Sequence, residues 1–427
     1  MRHSTLSLSL AVLAGCALAT AGCGDDDGTP PDTDAGATDG AIGGDGGGGD
    51  AGSGIDCTGR PSAAPMTRGE LTGALDETHG RIVVYGGNIA APAMCIPATM
   101  LVDETWAFHL DCNSWEQLSV DPTPGVRGRH ATTVDTMRDR MIVFGGRRRA
   151  GTTSYTLLND VWAFDFATDT WSQITTTGTG PTPRWAPTAV YDSVKDRVLV
   201  FGGNPSPDSL SYTGSSDFFA LDLATGEWSR IMATGGPSAR LFHAATAVGR
   251  QMVVYGGTNS FDGPFLGDTY AFDMDADTWS QVAASGPDVR FGSQIYGDAA
   301  GGRMVMIAGH DGTNLGNRND MHALDLAAGT WTELHPGDTP SGMAAGMCDF
   351  PADFTTPEEG SPERRYSFVS AQDATTGYVF GGKTDCGNVN DVWRFPLDTG
   401  AWTQLRPSTG GEACNRTGAT TCTTLCY

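Results

Sequence analysis

Short apolar runs, each closed by a pair of glycines, return along most of this chain. Ile82-Val83-Val84-Tyr85 precedes Gly86-Gly87, and Met141-Ile142-Val143-Phe144 precedes Gly145-Gly146. The same pattern gives Val198 to Phe201 before Gly202-Gly203, Met252 to Tyr255 before Gly256-Gly257, and Tyr378 to Phe380 before Gly381-Gly382. A weaker copy, Met304 to Ile307, runs into Ala308-Gly309-His310. Unbroken apolar runs of this length, bounded by glycine, predict strands buried on both faces. Downstream of each pair lies an alternating segment that opens on an acid: Asp103, Asp160, Asp217, Asp268, Asp320 and Asp391. A tight turn and a tryptophan follow, at Trp115, Trp171, Trp228, Trp279, Trp331 and Trp402. Upstream of each pair an arginine starts a further strand, at Arg68, Arg129, Arg184, Arg240, Arg290 and Arg365.

Each unit therefore reads as four antiparallel strands, and a fixed-period repeat of such units settles the fold before any single motif does. The order of motifs resembles that of the kelch repeat, and the resemblance covers residues 66 to 406 in six copies. It implies an all-β, six-bladed kelch-type β-propeller. A glycine pair at a strand end lets the backbone turn through positive φ and approach its neighbour closely. The tryptophan supplies an apolar face that one four-stranded sheet cannot bury alone, so blades must stack and close. The departure in the fifth copy predicts a bent or shifted strand, with His310 filling the place of the missing glycine instead of binding a metal. Every copy starts with its arginine strand and ends with its tryptophan strand, which leaves no strand exchange between the termini to lock the ring.

The ends of the chain read differently. Residues 1–22 form a lipoprotein-type signal: a short basic start, then Leu6 to Ala21 without charge, ending near two candidate acylation sites, Cys16 and Cys23. Cys23 is preferred because polar sequence begins directly after it. Residues 23–55, rich in Gly and Asp, form a disordered acidic tether that as a flexible coil spans roughly 30 Å. The propeller is expected over 56–407 and a cysteine-containing tail over 408–427.

A formal charge of -24 argues against nucleic acid or anionic lipid as the main partner, since phosphates would be repelled. Beyond the signal the chain has Cys57, Cys95, Cys112, Cys348, Cys386, Cys414, Cys422 and Cys426, an even number that in an exported protein reads as disulfides. Cys57 or Cys95 is expected to pair with a tail cysteine and so close the ring covalently, and Cys348 to pair with Cys386. None has zinc-ligand spacing, and neither metal nor cofactor is expected.

Turns after the first and third strands are short and uniform, whereas the connections on the opposite face are long. That face is therefore the expected binding surface. It carries Tyr155, Tyr212, Phe261, Phe265, Phe350 and Phe354, and the only basic run, Arg147-Arg148-Arg149, which reads either as a receptor for an acidic group or as a solvated loop tip. The strand-start arginines resemble those lining the ligand mouth of metazoan kelch domains, which makes Arg129, Arg184, Arg240, Arg290 and Arg365 candidate ligand contacts. An arginine present in every blade is nevertheless better explained by a repeated structural task, such as bonding backbone carbonyls. No nucleophile elbow, zinc-protease motif or phosphate loop is present. The expected function is an exported, lipid-anchored module that binds protein or glycan through its long-loop face. The alternative is a carbohydrate-active isomerase or oxidase with its site in the central funnel.

Overall fold

The computed structural model describes residues 57, 63–90, 99–151, 154–208, 211–260, 263–312, 316–340, 355–356, 360–384 and 387–409. Six sheets of four main antiparallel strands follow one another around a single axis, and the described residues contain no helix. Blade 1 consists of Thr72–Asp76, Arg81–Tyr85, Thr105–His109 and Ser114–Leu118, paired in sequence order. The others occupy 131–174, 188–230, 244–283, 294–335 and 369–406. First strands line the axis and fourth strands form the outer rim. Along the rim of blade 3, Thr177–Gly178 adds a short parallel strand to Glu227–Arg230.

The core lies between blades, in six separate seams. In the second strand of blade 1, Val83 and Tyr85 pack with Met141, Val143 and Trp171 of blade 2, while Ile82 and Val84 pack with Val369, Phe380 and Val392 of blade 6. This two-sided burial is why the strand is apolar at every position. The residue just before each glycine pair meets the tryptophan of the next blade. Tyr85 lies 4.8 Å from Trp171, Phe144 5.6 Å from Trp228, Phe201 5.7 Å from Trp279 and Tyr255 5.5 Å from Trp331, between ring centres. The ring closes by the same contact, Phe380 of blade 6 against Trp115 of blade 1 at 4.5 Å.

The backbone continues this pattern. The second glycine of a pair donates its N–H to the carbonyl of the next blade's arginine or that of its aligned neighbour: Gly87 to Arg127, Gly146 to Arg184, Gly203 to Arg240, and across the closing seam Gly382 to Arg68. A Cβ on Gly86 would come within 2.7 Å of the Arg127 carbonyl oxygen, so glycine is obligatory there. In blade 5 the pair is Ala308-Gly309: Ala308 itself takes φ 56°, and His310 lies beyond the pair. Ala308, two residues earlier, thus fills the place expected for His310. The register shift at this point recurs in blades 2, 4, 5 and 6, so blade 5 bends as its neighbours do.

One arm of the expected covalent closure is not made. Cys57 bonds Cys112, in the turn between the third and fourth strands of blade 1, and not a tail cysteine. The bridge spans 55 residues within blade 1 and its approach, a loop for which chain entropy gives about 4 kcal/mol. The two ends of the propeller meet at Asn390 of blade 6. Its amide nitrogen donates to Pro65 O at 2.8 Å, and its amide oxygen accepts from Ser408 Oγ at 2.8 Å and Thr409 N at 2.9 Å. Cys16, Cys23, Cys95, Cys348, Cys386, Cys414, Cys422 and Cys426 lie outside the described residues.

Because Trp115 is fully buried in the closing seam, Trp115→Ala should cost about 3–5 kcal/mol. Trp402→Ala, at a half-buried position, should cost less than half as much. Urea unfolding of both variants checks this, and equal costs would contradict a seam that depends on Trp115.

Candidate functional site

Five of the six expected arginines perform one structural task. Arg68 donates from Nη1 to Gly86 O at 3.2 Å, Arg184 to Gly202 O at 3.0 Å, Arg240 to Gly256 O at 2.9 Å, Arg290 to Ala308 O at 3.1 Å and Arg365 to Gly381 O at 3.0 Å. Each also pairs with the acid opening its own blade's third strand: Glu104, Asp217, Asp268, Asp320 and Asp391 respectively. In blade 1 this acid is Glu104, not the expected Asp103. In blade 2 the arginine is Arg127, which reaches Gly145 O at 3.0 Å and both oxygens of Asp160. These guanidiniums are spent on structure and are not available to a ligand. Arg129, two residues later, has another role.

Residues at the position of Arg129 form an inner ring. Glu70, Arg129, Ala186, Phe242, Gly292 and Ser367 stand two places after the clamp arginine of each blade, and all six have φ between 53° and 65°. Backbone bonds link them around the axis: Glu70 N to Ser367 O, Arg129 N to Glu70 O, Ala186 N to Arg129 O, Gly292 N to Phe242 O and Ser367 N to Gly292 O. Only one is glycine, so five side chains accept a conformation costing of order 1 kcal/mol or more each. Strain of this kind gathers where a fold holds side chains for use. Here no two blades carry the same residue.

Just above, one cross-strand pair per blade completes the mouth of the axial channel: Gly69 with Asn88, Gly128 with Arg147, Trp185 with Asn204, Leu241 with Thr258, Phe291 with His310 and Tyr366 with Lys383. The mouth is therefore divided. Blades 6, 1 and 2 bring Lys383, Glu70, Arg129 and Arg147, whereas blades 3 to 6 bring Trp185, Phe242, Phe291 and Tyr366.

On the charged side, the fully buried Glu70 carboxylate accepts from Lys383 Nζ at 2.6 Å, Arg129 Nη2 at 3.1 Å, Arg147 Nη2 at 3.2 Å and Asn88 Nδ2 at 3.4 Å. Burial alone would raise its pKa, but Arg129, Lys383 and Arg147 outweigh burial and hold it well below the carboxylate range. Burial and the two neighbouring guanidiniums pull the Lys383 ammonium down against the pull of Glu70. Arg129 also donates to Ser367 Oγ at 3.3 Å and stacks on Phe242 at 4.4 Å, so one side chain touches blades 1, 4 and 6 across the channel. Arg147 lies between the rings of Tyr155, at 4.0 Å, and Trp185, at 4.5 Å.

On the aromatic side, Trp185, Tyr212 and Phe242 pack mutually, Phe242 continues to Phe291 at 5.6 Å, and Phe291 meets Phe265, His310 and Tyr366. Tyr212, Phe265, Phe291 and Tyr366 keep half-buried faces. The structure thus unites Tyr155, Tyr212, Phe265, Arg129 and Arg147 from the sequence-based candidates. Arg147, Arg148 and Arg149 are not a loop tip but extend the strand Arg140–Arg149, with Arg147 buried and the other two exposed. Phe261, Phe350 and Phe354 lie outside the described residues. Sequence reading missed Glu70, Lys383, Trp185, Phe242, Phe291 and Tyr366. Their signal was available as the columns beside the conserved-looking repeat positions, where the copies differ.

The ring and the first strands together line a cavity of about 150 Å³, with Thr72, Thr132, Thr188, Ser293 and Ser370 among its polar side chains. His130 and His243 wedge beneath the neighbouring glycine pairs. His243 Nε2 meets Thr188 Oγ1 at 2.8 Å, while neither His130 ring nitrogen has a partner. Burial, reinforced by Arg127 and Arg240 respectively, lowers each imidazole to about 3. Among the described residues Asp76, His79 and Asp139 are the one group spaced to hold a cation, but Asp76 already accepts from His79 and from Arg81.

A closed ring of six four-stranded sheets with a variable, half-charged and half-aromatic mouth is a six-bladed β-propeller. The chain belongs to the KLHDC2/KLHL20/DRC7 Kelch-repeats domain family, whose model matches residues 54–192 and 151–349. It is similar to the human leucine-zipper-like transcriptional regulator 1, 27% identical over 77% of this chain and 39% of that protein. Acyl-CoA-binding domain-containing protein 5 of Arabidopsis thaliana is 27% identical over 55% of this chain and 32% of its own length. The rat Kelch domain-containing protein 10 is 24% identical over 70% of this chain and 71% of its own. The chain thus spans well under half of the first two of these relatives.

Two outcomes follow from these pairings. Arg240→Met strands the Asp268 carboxylate and the Gly256 carbonyl, and should cost about 3–5 kcal/mol in urea unfolding. Arg148→Met, at an exposed position, should be neutral within about 0.5 kcal/mol. Acidification acts through the two histidines. Their folded pKa lies near 3 and their unfolded value at 6.5, so only the unfolded chain gains protons as pH falls below 6.5. Stability should drop by about 2 kcal/mol per histidine between pH 6.5 and 5, before carboxylates titrate. The double variant His130→Gln, His243→Gln should flatten that slope; an unchanged slope would refute the assignment.

Proposed function

We propose that this propeller is a recognition module that receives a protein partner at the mouth of its axial channel. The observation that carries this reading is where the blades differ. Positions used for closure repeat six times, while Glu70, Arg129, Arg147, Lys383, Phe242, Phe291 and Tyr366 each occur once and converge on one opening. A binding surface with rigid aromatic anchors and buried arginine matches the composition of interaction hot spots. Membership of the kelch family supports a protein partner. The N-terminal pattern around Cys16 and Cys23 supports an exported, lipid-anchored protein of the cell envelope. A glycan is the alternative ligand, since the same aromatic faces can stack on sugar rings.

Partner capture by the tether-free propeller tests the mouth. Phe291→Ala with Tyr366→Ala should reduce capture at least about tenfold, whereas Asp222→Asn on the opposite face should not. Capture that survives the mouth variants would overturn the reading. Metabolic acyl labelling checks the anchor: label should be lost on Cys23→Ser, and unlabelled wild-type protein would remove it.

A further inference from the structure

The balance of charge at the mouth defines its ligand more closely. Among the described residues Arg129, Arg147 and Lys383 share a single ion-pair partner, Glu70. Their side chains are only 8%, 4% and 4% exposed, and Glu70 is 0% exposed. Three cations and one anion leave two positive charges in excess where water compensates poorly. The Nε atoms of Arg129 and Arg147 are buried without an acceptor. Each clamp arginine of the ring has a carboxylate of its own blade, Arg290 having both Asp288 and Asp320, and where Asp217 is shared the second cation, Arg230, is exposed to water. The chain as a whole carries -24, which repels long polyanions and leaves this island for a compact charge.

We propose that the mouth binds a phosphoryl-type dianion carried on a flat ring. This rests on the reading of the mouth as the recognition site. The three cations already converge on the two oxygens of one carboxylate, a spacing that suits a compact group presenting three oxygens. The faces of Arg147 are filled by Tyr155 and Trp185, and Arg129 lies on Phe242, which leaves the N–H edges to donate. Beside them the half-buried rings of Phe291, Tyr366 and Tyr212 offer apolar faces for the group that carries the anion.

Calorimetric titration of the full chain above about pH 8, where a phosphoryl group carries its second charge, decides the matter with probes of nearly one shape. Phenylphosphonate should bind at least about tenfold tighter than benzenesulfonate, and tighter than inorganic phosphate, while benzyl alcohol gives no heat. Lys383→Met should bring the two aromatic anions to within about threefold of each other. If that variant fails to fold, the comparison on the unaltered chain still decides. Equal binding of phosphonate and sulfonate, or no binding of phosphonate at millimolar concentration, overturns the dianion. Should partner capture remain sensitive to Phe291 and Tyr366 in that case, the mouth stands as the recognition site and only its ligand class falls.

Discussion

One buried guanidinium per blade organises this molecule. It joins the carbonyl of the glycine pair to the acid that opens the third strand, so three of the four strands are set by a single planar group. Arginine suits the task because its fork can meet a carboxylate through two nitrogens while still reaching a carbonyl. Removing such a charge from water is costly, and only the pairing and the extra bond compensate. The positive-φ residue two places on, and the cross-strand pair above it, inherit their positions from this clamp. The mouth of the channel is therefore a direct extension of the structural repeat.

Closure follows from repetition more than from any lock. Each second strand is buried on both faces, so a blade left without a neighbour would expose an apolar sheet. The contact of Phe380 with Trp115 is the same as that between adjacent blades elsewhere, and Asn390 binds the residues that enter and leave the propeller. The Cys57–Cys112 bridge reinforces blade 1 and its approach, and does not cross the closing seam.

The mouth carries what the repeat leaves free. Five non-glycine residues in the left-handed region, a guanidinium lying across the channel and a carboxylate shared by three cations are all unfavourable in isolation. They persist because the clamps on either side over-determine the backbone. A rigid, desolvated arrangement of charge is what recognition requires, since little ordering then remains to be done on binding.

The sequence by itself determined the class of fold, the number of blades and the structural role of the repeated arginine. Those features depend on local periodicity, on glycine at a turn and on the six-fold recurrence of both. Tertiary structure alone decided that Arg127 and not Arg129 fills the clamp of blade 2. In sequence both stand before a strand, and only the backbone geometry shows which points into its own blade and which crosses the axis. It alone decided that Glu70, Arg147 and Lys383, far apart in the chain, meet at one point, because a ring brings together residues from its first, second and last units. The pairing of Cys57 was equally hidden, since it depends on the path of the chain past the outer strand of blade 1 and not on spacing.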